Sequence, residues 1–203
     1  MKEILKNVII MVLFCVAAGI GLGAVYAITS PLIEKNNEAR LQASLAEVLE
    51  AESFEAIDLD EDAIIDALTD AGIEKEAAKI NTVYKATDAS GNTVGFDFDV
   101  SEMEGYGGEI NFIVGIDTDG AITGVSILKI NETAGLGMKA KEADFRDQYV
   151  GKAVESFVVT KTGKTADNEI DAISAATITS KAMTKGVNAA IVAFNVVGGG
   201  VNE

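Results

Sequence analysis

Between Val8 and Thr29 the chain carries no charged residue. At about 1.5 Å per residue, a helix over this stretch would span about 33 Å, enough for the hydrocarbon core of a bilayer. Lys2 and Lys6 precede it, and Val25-Tyr26-Ala27 has the small-residue character of a cleavage site. Both would suit a secretory leader, but the apolar core of a leader runs only about 7–15 residues. A retained, single-pass transmembrane helix is therefore expected. With lysines before it and acidic sequence after it, the positive-inside tendency puts the N-terminus in the cytoplasm and everything beyond about Ser30 outside, at the cell (inner) membrane. Gly19 and Gly23 form a G-x-x-x-G that lets a neighbouring helix approach, or they are simply glycines of a membrane span; both readings stay open.

The rest of the 203 residues is strongly acidic, with 16 Lys and Arg against 32 Asp and Glu over the whole chain. Such a charge disfavours nucleic acid as a partner, because phosphate backbones are held by Lys and Arg. There is no histidine and one cysteine, Cys15, inside the apolar run. That excludes His-dependent triads, His-ligated haem, most catalytic zinc sites, disulfides and thiolate-held iron–sulfur clusters. No metal-ligand set is predicted, so redox chemistry would need an organic cofactor.

Beyond the anchor, Pro31 suits the first turn of a new helix, and Leu41, Leu45, Val48 and Leu49 follow at helical spacing. Asp58, Asp60 and Asp62 alternate like a calcium loop, but Ala63 stands where the turn glycine belongs and Thr69 where a bidentate Glu is needed. They read instead as the acidic start of a short helix burying Ile64, Ile65 and Leu68. After Lys79 the period becomes two. Residues 83–86 and 94–100 flank the turn-rich 88–92, and 110–116 and 122–130 flank Asp117-Thr-Asp119-Gly120, which predicts two β-hairpins. Val154 to Thr160 reads as a further strand and Glu142 to Tyr149 as helical. Met183, Val187, Ala190, Ile191 and Phe194 share one face of a final helix, ended by Gly198-Gly199-Gly200. The expected fold is α+β: a start and transmembrane helix over 1–30, a juxtamembrane helical region over 31–78, and a domain over 79–203 with a mainly antiparallel sheet packed by helices.

Three stretches carry candidate chemistry. Asp171-Ala-Ile-Ser174-Ala175-Ala176-Thr177-Ile-Thr179-Ser180-Lys181 is a small-residue loop feeding a helix. Unpaired N–H groups and the positive end of the helix dipole suit an anion there, although Thr179 or Ser180 as a plain N-cap fits as well. Gly135-x-Gly137-x-x-Ala140 formally matches a dinucleotide fingerprint. The short Asp-Gly turn between the preceding strands makes them antiparallel, which argues against the crossovers that such a domain needs. Gly105-Tyr106-Gly107-Gly108 admits close backbone approach, or is a plain bulge.

Asp171-x-x-Ser174-Ala175-Ala176-Thr177 resembles the Asp-x-x-Ser-Gly-Ala-Thr flavinylation signature. Glu132-Thr133-Ala134-Gly135-Leu136-Gly137 resembles the Glu-Thr-Pro-Gly-Leu-Gly loop of the same FMN-binding domain, and Gly105-Tyr106-Gly107-Gly108 resembles its Gly-Tyr-Gly-Gly turn. An anchor ahead of such a domain is the plan of the G subunit of the Rnf ion-translocating complex and of the related C subunit of the sodium-translocating NADH:quinone reductase. The modest length is closer to the former. The resemblance implies FMN joined by a phosphoester to Thr177 by a separate flavin transferase that reads Asp171 as part of the motif, in which Ser174, Ala175 and Ala176 are small enough to admit both the transferase and the ring. Glu132, Thr133, Leu136 and Gly137 would then line the ring, with Tyr106 and Gly107 also at the cofactor, while the N–H groups near Thr179 and Ser180, with Lys181 one turn in, would offset the phosphate charge. The chain would then be an electron-transfer subunit among other membrane subunits of a ferredoxin:NAD+ Rnf complex, non-catalytic alone. Ala175 stands where the signature has glycine, which is tolerable if its φ is negative; Ala134 stands where the loop has proline. The remaining readings are a membrane-anchored, non-redox binding or assembly module, and a dinucleotide-binding enzyme at Gly135.

Overall fold

The computed structural model describes residues 2–198, apart from the side chain of Lys2. Gly199 and Gly200, expected to end the last helix, lie outside the described residues, as does the Lys2 side chain invoked for the basic start. The chain divides into two compact units, residues 1–42 and 43–203.

Helix α1 (Lys2–Val48) supplies the first unit and runs on to the start of the second. It is long and apolar enough to cross a membrane, and Phe14, Leu22 and Ile28 along it are exposed. Pro31 lies inside it rather than opening a new helix, which corrects the expected break. A proline there removes one i to i−4 rung, the one to the Ala27 carbonyl, and leaves the turns on either side to continue.

In the second unit β1 (Ser53–Ile57), β2 (Ala78–Thr87), β3 (Thr93–Gly105), β4 (Gly108–Asp117) and β5 (Ile122–Lys129) form one antiparallel sheet in sequence order. Both expected hairpins are present. Each turn is built on an aspartate: Asp88 Oδ1 accepts from the N–H groups of Ser90 and Asn92 at 2.8 and 2.9 Å, and Asp117 Oδ1 from those of Asp119 and Ala121, both at 2.9 Å. These side chains mimic a backbone turn and fix the register of the strands. A meander of this kind contains no parallel crossover, so Gly135-x-Gly137 does not sit in a dinucleotide-binding βαβ unit.

Helix α2 (Glu61–Asp70) is capped by Asp60, whose side chain accepts from the Ala63 N–H at 3.1 Å. It buries Ile64 and Leu68, whereas Ile65 is exposed, contrary to the expected three-residue face. After β5 come a 3-10 turn (Gly137–Lys141) and a single helical turn α3 (Ala143–Arg146), shorter than the predicted 142–149. Strand β6 (Val158–Thr160) is the end of the predicted 154–160 strand and pairs in parallel with β7 (Glu169–Asp171).

Helix α4 (Thr177–Gly198) packs across the sheet. Met183, Val187, Ala190 and Ile191 are buried, and the Phe194 ring meets those of Phe96 and Phe98 edge-on at 6.3 and 6.5 Å. These residues, with Phe112 and Val100, form the main core. On the opposite face lies the last turn of α1, with Leu45, Val48 and Leu49 buried. Glycines make this approach possible: a β-carbon on Gly124 would stand 2.8 Å from Val48 Cα. Glu47 fastens the same turn, accepting from Ser126 Oγ at 2.6 Å and pairing with Arg146 at 3.0 Å.

Candidate functional site

Three segments far apart in sequence meet at one end of α4. The β3–β4 turn reaches the loop after β5 so closely that a β-carbon on Gly107 would overlap the Asn131 carbonyl. The Gly107 N–H also donates to Glu132 Oε1 at 3.3 Å. That loop turns at Gly135, whose φ is 75°, and brings Gly137 under the helix. A β-carbon on Gly137 would stand 2.6 Å from Glu132 Oε2 and 2.7 Å from Thr179 Oγ1. Glycine is thus required at 137 because a carboxylate and a helix residue both press on it.

The loop before α4 is held from both sides. Gln148 clamps the backbone of Asp171, accepting its N–H at 2.8 Å and donating to its carbonyl at 3.3 Å. Ser180, fully buried, accepts from the Ile173 N–H at 2.9 Å and donates to the Ala176 carbonyl at 3.0 Å. Between these ties Ala175 adopts φ = 62°, alone among described non-glycine residues in having a positive φ. The condition set for tolerating alanine there is therefore not met. The loop needs a left-handed residue, and the alanine occupies that conformation at a cost of roughly 1–2 kcal/mol.

The three segments enclose a pocket of about 540 Å³ lined by Tyr106, Glu132, Thr133, Leu136, Gly137 and residues 175–179, within the range of about 300–1,000 Å³ typical of ligand sites. Thr177 opens α4 and is half-buried at the pocket, at the helix end whose first N–H groups the helix cannot pair internally. Tyr106, Leu136 and Ile178 are exposed there and give the pocket an apolar, open border, while Thr179 is buried in its wall. Among the described residues no Lys or Arg lines the pocket. Just before the β3–β4 turn, Glu102 is buried and its carboxyl is pushed up to about 7 by that burial, against the Glu104 N–H it accepts and the nearby Lys185.

Most of the expected site residues thus come together. Five do not line the pocket, the first being Gly107, which packs against Asn131 and donates its N–H to Glu132 instead. Ser174 is exposed. Asp171 ends β7, held by its backbone. The Ser180 hydroxyl is consumed by the loop, and Lys181 borders a different cleft with Phe157 and Asn188. Lys181 follows Thr177 by one helical turn but lines that other cleft and not the pocket, so an anion at Thr177 would rely on N–H groups rather than on this lysine. The sequence reading missed Ile178 in the pocket wall, legible only as the first-turn neighbour of Thr177, and Gln148, whose clamp on Asp171 no sequence signal announces.

The pocket fits FMN on three counts: its volume, a hydroxyl at a helix N-terminus, and a small-residue loop with apolar sides for a flat ring. Comparison with known proteins points the same way. Residues 105–192 match the FMN-binding domain family, and residues 1–48 match the RnfG N-terminal region. The chain is 37% identical over 193 residues to the G subunit of the Na(+)-translocating ferredoxin:NAD(+) oxidoreductase complex of Acetobacterium woodii, covering 94% of this chain and 91% of that protein. It is 32% identical over 179 residues to the G subunit of the proton-translocating ferredoxin:NAD(+) oxidoreductase complex of Clostridium ljungdahlii, covering 87% and 84%. In fold it is similar to crystal structures of Shewanella oneidensis NqrC (TM-score 0.52, 17% identity, 74% of this chain and 85% of that one) and of the C subunit of the Na(+)-translocating NADH-quinone reductase of Parabacteroides distasonis (TM-score 0.51, 19% identity, 77% and 81%).

Proposed function

The chain belongs to the family of G subunits of ion-translocating oxidoreductase complexes, and from this we propose that it carries electrons in such a complex through an FMN esterified to Thr177. The observation that carries the reading is the meeting of Thr177, at the start of α4, with the 132–137 loop and Tyr106 around one pocket. FMN, when bound, supplies the electron-accepting and electron-donating chemistry. Thr177 offers the oxygen that replaces one oxygen of the phosphate in an ester bond, with loss of water overall. The ester retains about one negative charge, which the first-turn N–H groups and dipole of α4 offset. Leu136, Ile178 and Tyr106 supply apolar surface for the ring, and Glu132 holds the two glycine-rich segments at the spacing that leaves room for it.

A covalent tether suits a carrier outside the cytoplasm, where even a micromolar site, about −8 kcal/mol, loses a cofactor that is scarce in free solution. In this reading α1 is a single-pass anchor with its N-terminus in the cytoplasm, and the domain faces the far side. A flavin transferase reads the loop from Asp171 to Thr177. Partner subunits of a ferredoxin:NAD+ complex bind those substrates and move the ion. The test is a denaturing gel of protein co-expressed with the transferase. A fluorescent flavin band that disappears in Thr177→Val supports the proposal. A colourless wild-type band supports instead a non-redox assembly module.

A further inference from the structure

On the face of the sheet away from α4 lies a group of oxygen atoms that the flavin pocket does not use. Asp97, in the middle of β3, is fully buried, and neither of its carboxylate oxygens has a hydrogen-bond partner among the described residues. Thr123 Oγ1, on β5, is buried and likewise unpartnered. Both approach Gly115 of β4, the cross-strand neighbour of Asp97. The point that a β-carbon on Gly115 would occupy lies 2.5 Å from Thr123 Oγ1, 2.8 Å from the Val48 carbonyl oxygen and 3.1 Å from Asp97 Oδ1. Val48 is the last residue of α1, so its carbonyl is among those that helix geometry leaves over, at the negative end of the dipole.

A buried carboxylate is unfavourable unless it is neutralised or paired. Burial alone pushes the Asp97 carboxyl up to about 8, with no basic side chain contributing. The oxygens converge, yet the Thr123 hydroxyl does not hydrogen-bond the carboxylate. The Cβ position lies one bond from Gly115 Cα and is not itself a place for an ion; it shows that the three oxygens crowd the same side of Gly115. Oxygens brought this close without a hydrogen bond between the hydroxyl and the carboxylate are what a hard cation organises. No group of three His, Cys, Asp or Glu side chains comes together among the described residues. One carboxylate balances one positive charge, whereas the sites that divalent ions prefer draw on more acidic ligands.

We propose that Asp97, Thr123 and the Val48 carbonyl bind a monovalent alkali-metal cation that fastens the end of α1 to the sheet. The site is independent of the flavin. The test is thermal unfolding of the full chain in detergent at pH 8 in NaCl, KCl or choline chloride at equal ionic strength. Na+ or K+ is expected to raise the midpoint saturably by roughly 5 °C over choline. Asp97→Asn, which keeps the shape and removes the charge, abolishes the difference. Thr123→Val, which keeps the charge and removes one ligand, raises the half-saturating cation concentration roughly tenfold, the effect of losing one charge-assisted contact. A wild-type midpoint that does not distinguish alkali cations from choline overturns the proposal, and so does an alkali effect that survives Asp97→Asn. Should Asp97→Asn fail to fold, an unchanged half-saturation in Thr123→Val overturns it.

Discussion

Replacing Ala175 by glycine should stabilise the domain, by an amount set by one backbone angle. Ala175 is exposed and holds φ = 62°. A side chain in that region costs roughly 1–2 kcal/mol, because Cβ crowds the following carbonyl. Glycine removes the clash but frees the unfolded chain, which returns roughly 0.4–1 kcal/mol. The net gain is about 0.5–1 kcal/mol, and for a chain of this size that moves the unfolding midpoint up by roughly 1–4 °C. Calorimetry of the full chain in detergent measures it, with Ala175→Val as the opposing control, since a β-branched residue tolerates positive φ worst. A midpoint that falls in Ala175→Gly, or that is the same in the glycine and valine variants, refutes a left-handed residue at this position.

Gly137→Ala should destabilise the domain by about 1–3 kcal/mol and lower the flavin content per chain, because its β-carbon would press on Glu132 and Thr179 at 2.6 and 2.7 Å; normal flavin content read by absorbance would contradict the packing described. Ser180→Ala leaves the buried Ile173 N–H without its acceptor, a cost of about 1–3 kcal/mol, and denaturant unfolding should show it while Lys181→Ala stays near neutral. Asp97 is held near 8 in the fold against roughly 3.9 in the unfolded chain. The folded state therefore binds the extra proton between those values, and stability falls as pH rises from about 4 to about 8, then levels. In choline buffer Asp97→Asn should flatten that slope between pH 5 and 8, leaving the part due to Glu102; unchanged slopes would contradict it.

The hairpins were legible because Asp88 and Asp117 sit where turns need their side chains, and the period of two on either side is clear. Strand β1 was not, since its burial follows no alternation and it gains its identity from pairing with β2 rather than from its own residues. The two short strands β6 and β7 are three residues each, too short for any period to show. Pro31 is equally compatible with opening a helix and with riding inside one, and only neighbouring turns decide. The pocket was legible through three small-residue segments, yet which face of α4 each residue takes was not: Ser180 and Lys181 look like phosphate ligands in sequence and turn to the loop and to another cleft. The sign of φ at Ala175 leaves no trace in residue type. Asp97 reads as the outward residue of an alternating strand, and becomes buried only because the end of α1 covers that face.

Everything proposed for the pocket turns on Thr177 being the flavin attachment point. Intact mass of the full chain after co-expression with a flavin transferase, followed by mass mapping of the peptide that contains residues 171–181, tests it directly. An increment of one FMN less one water is expected, confined to that peptide and absent in Thr177→Val. An unmodified wild-type chain, or an increment that persists in Thr177→Val, would contradict it.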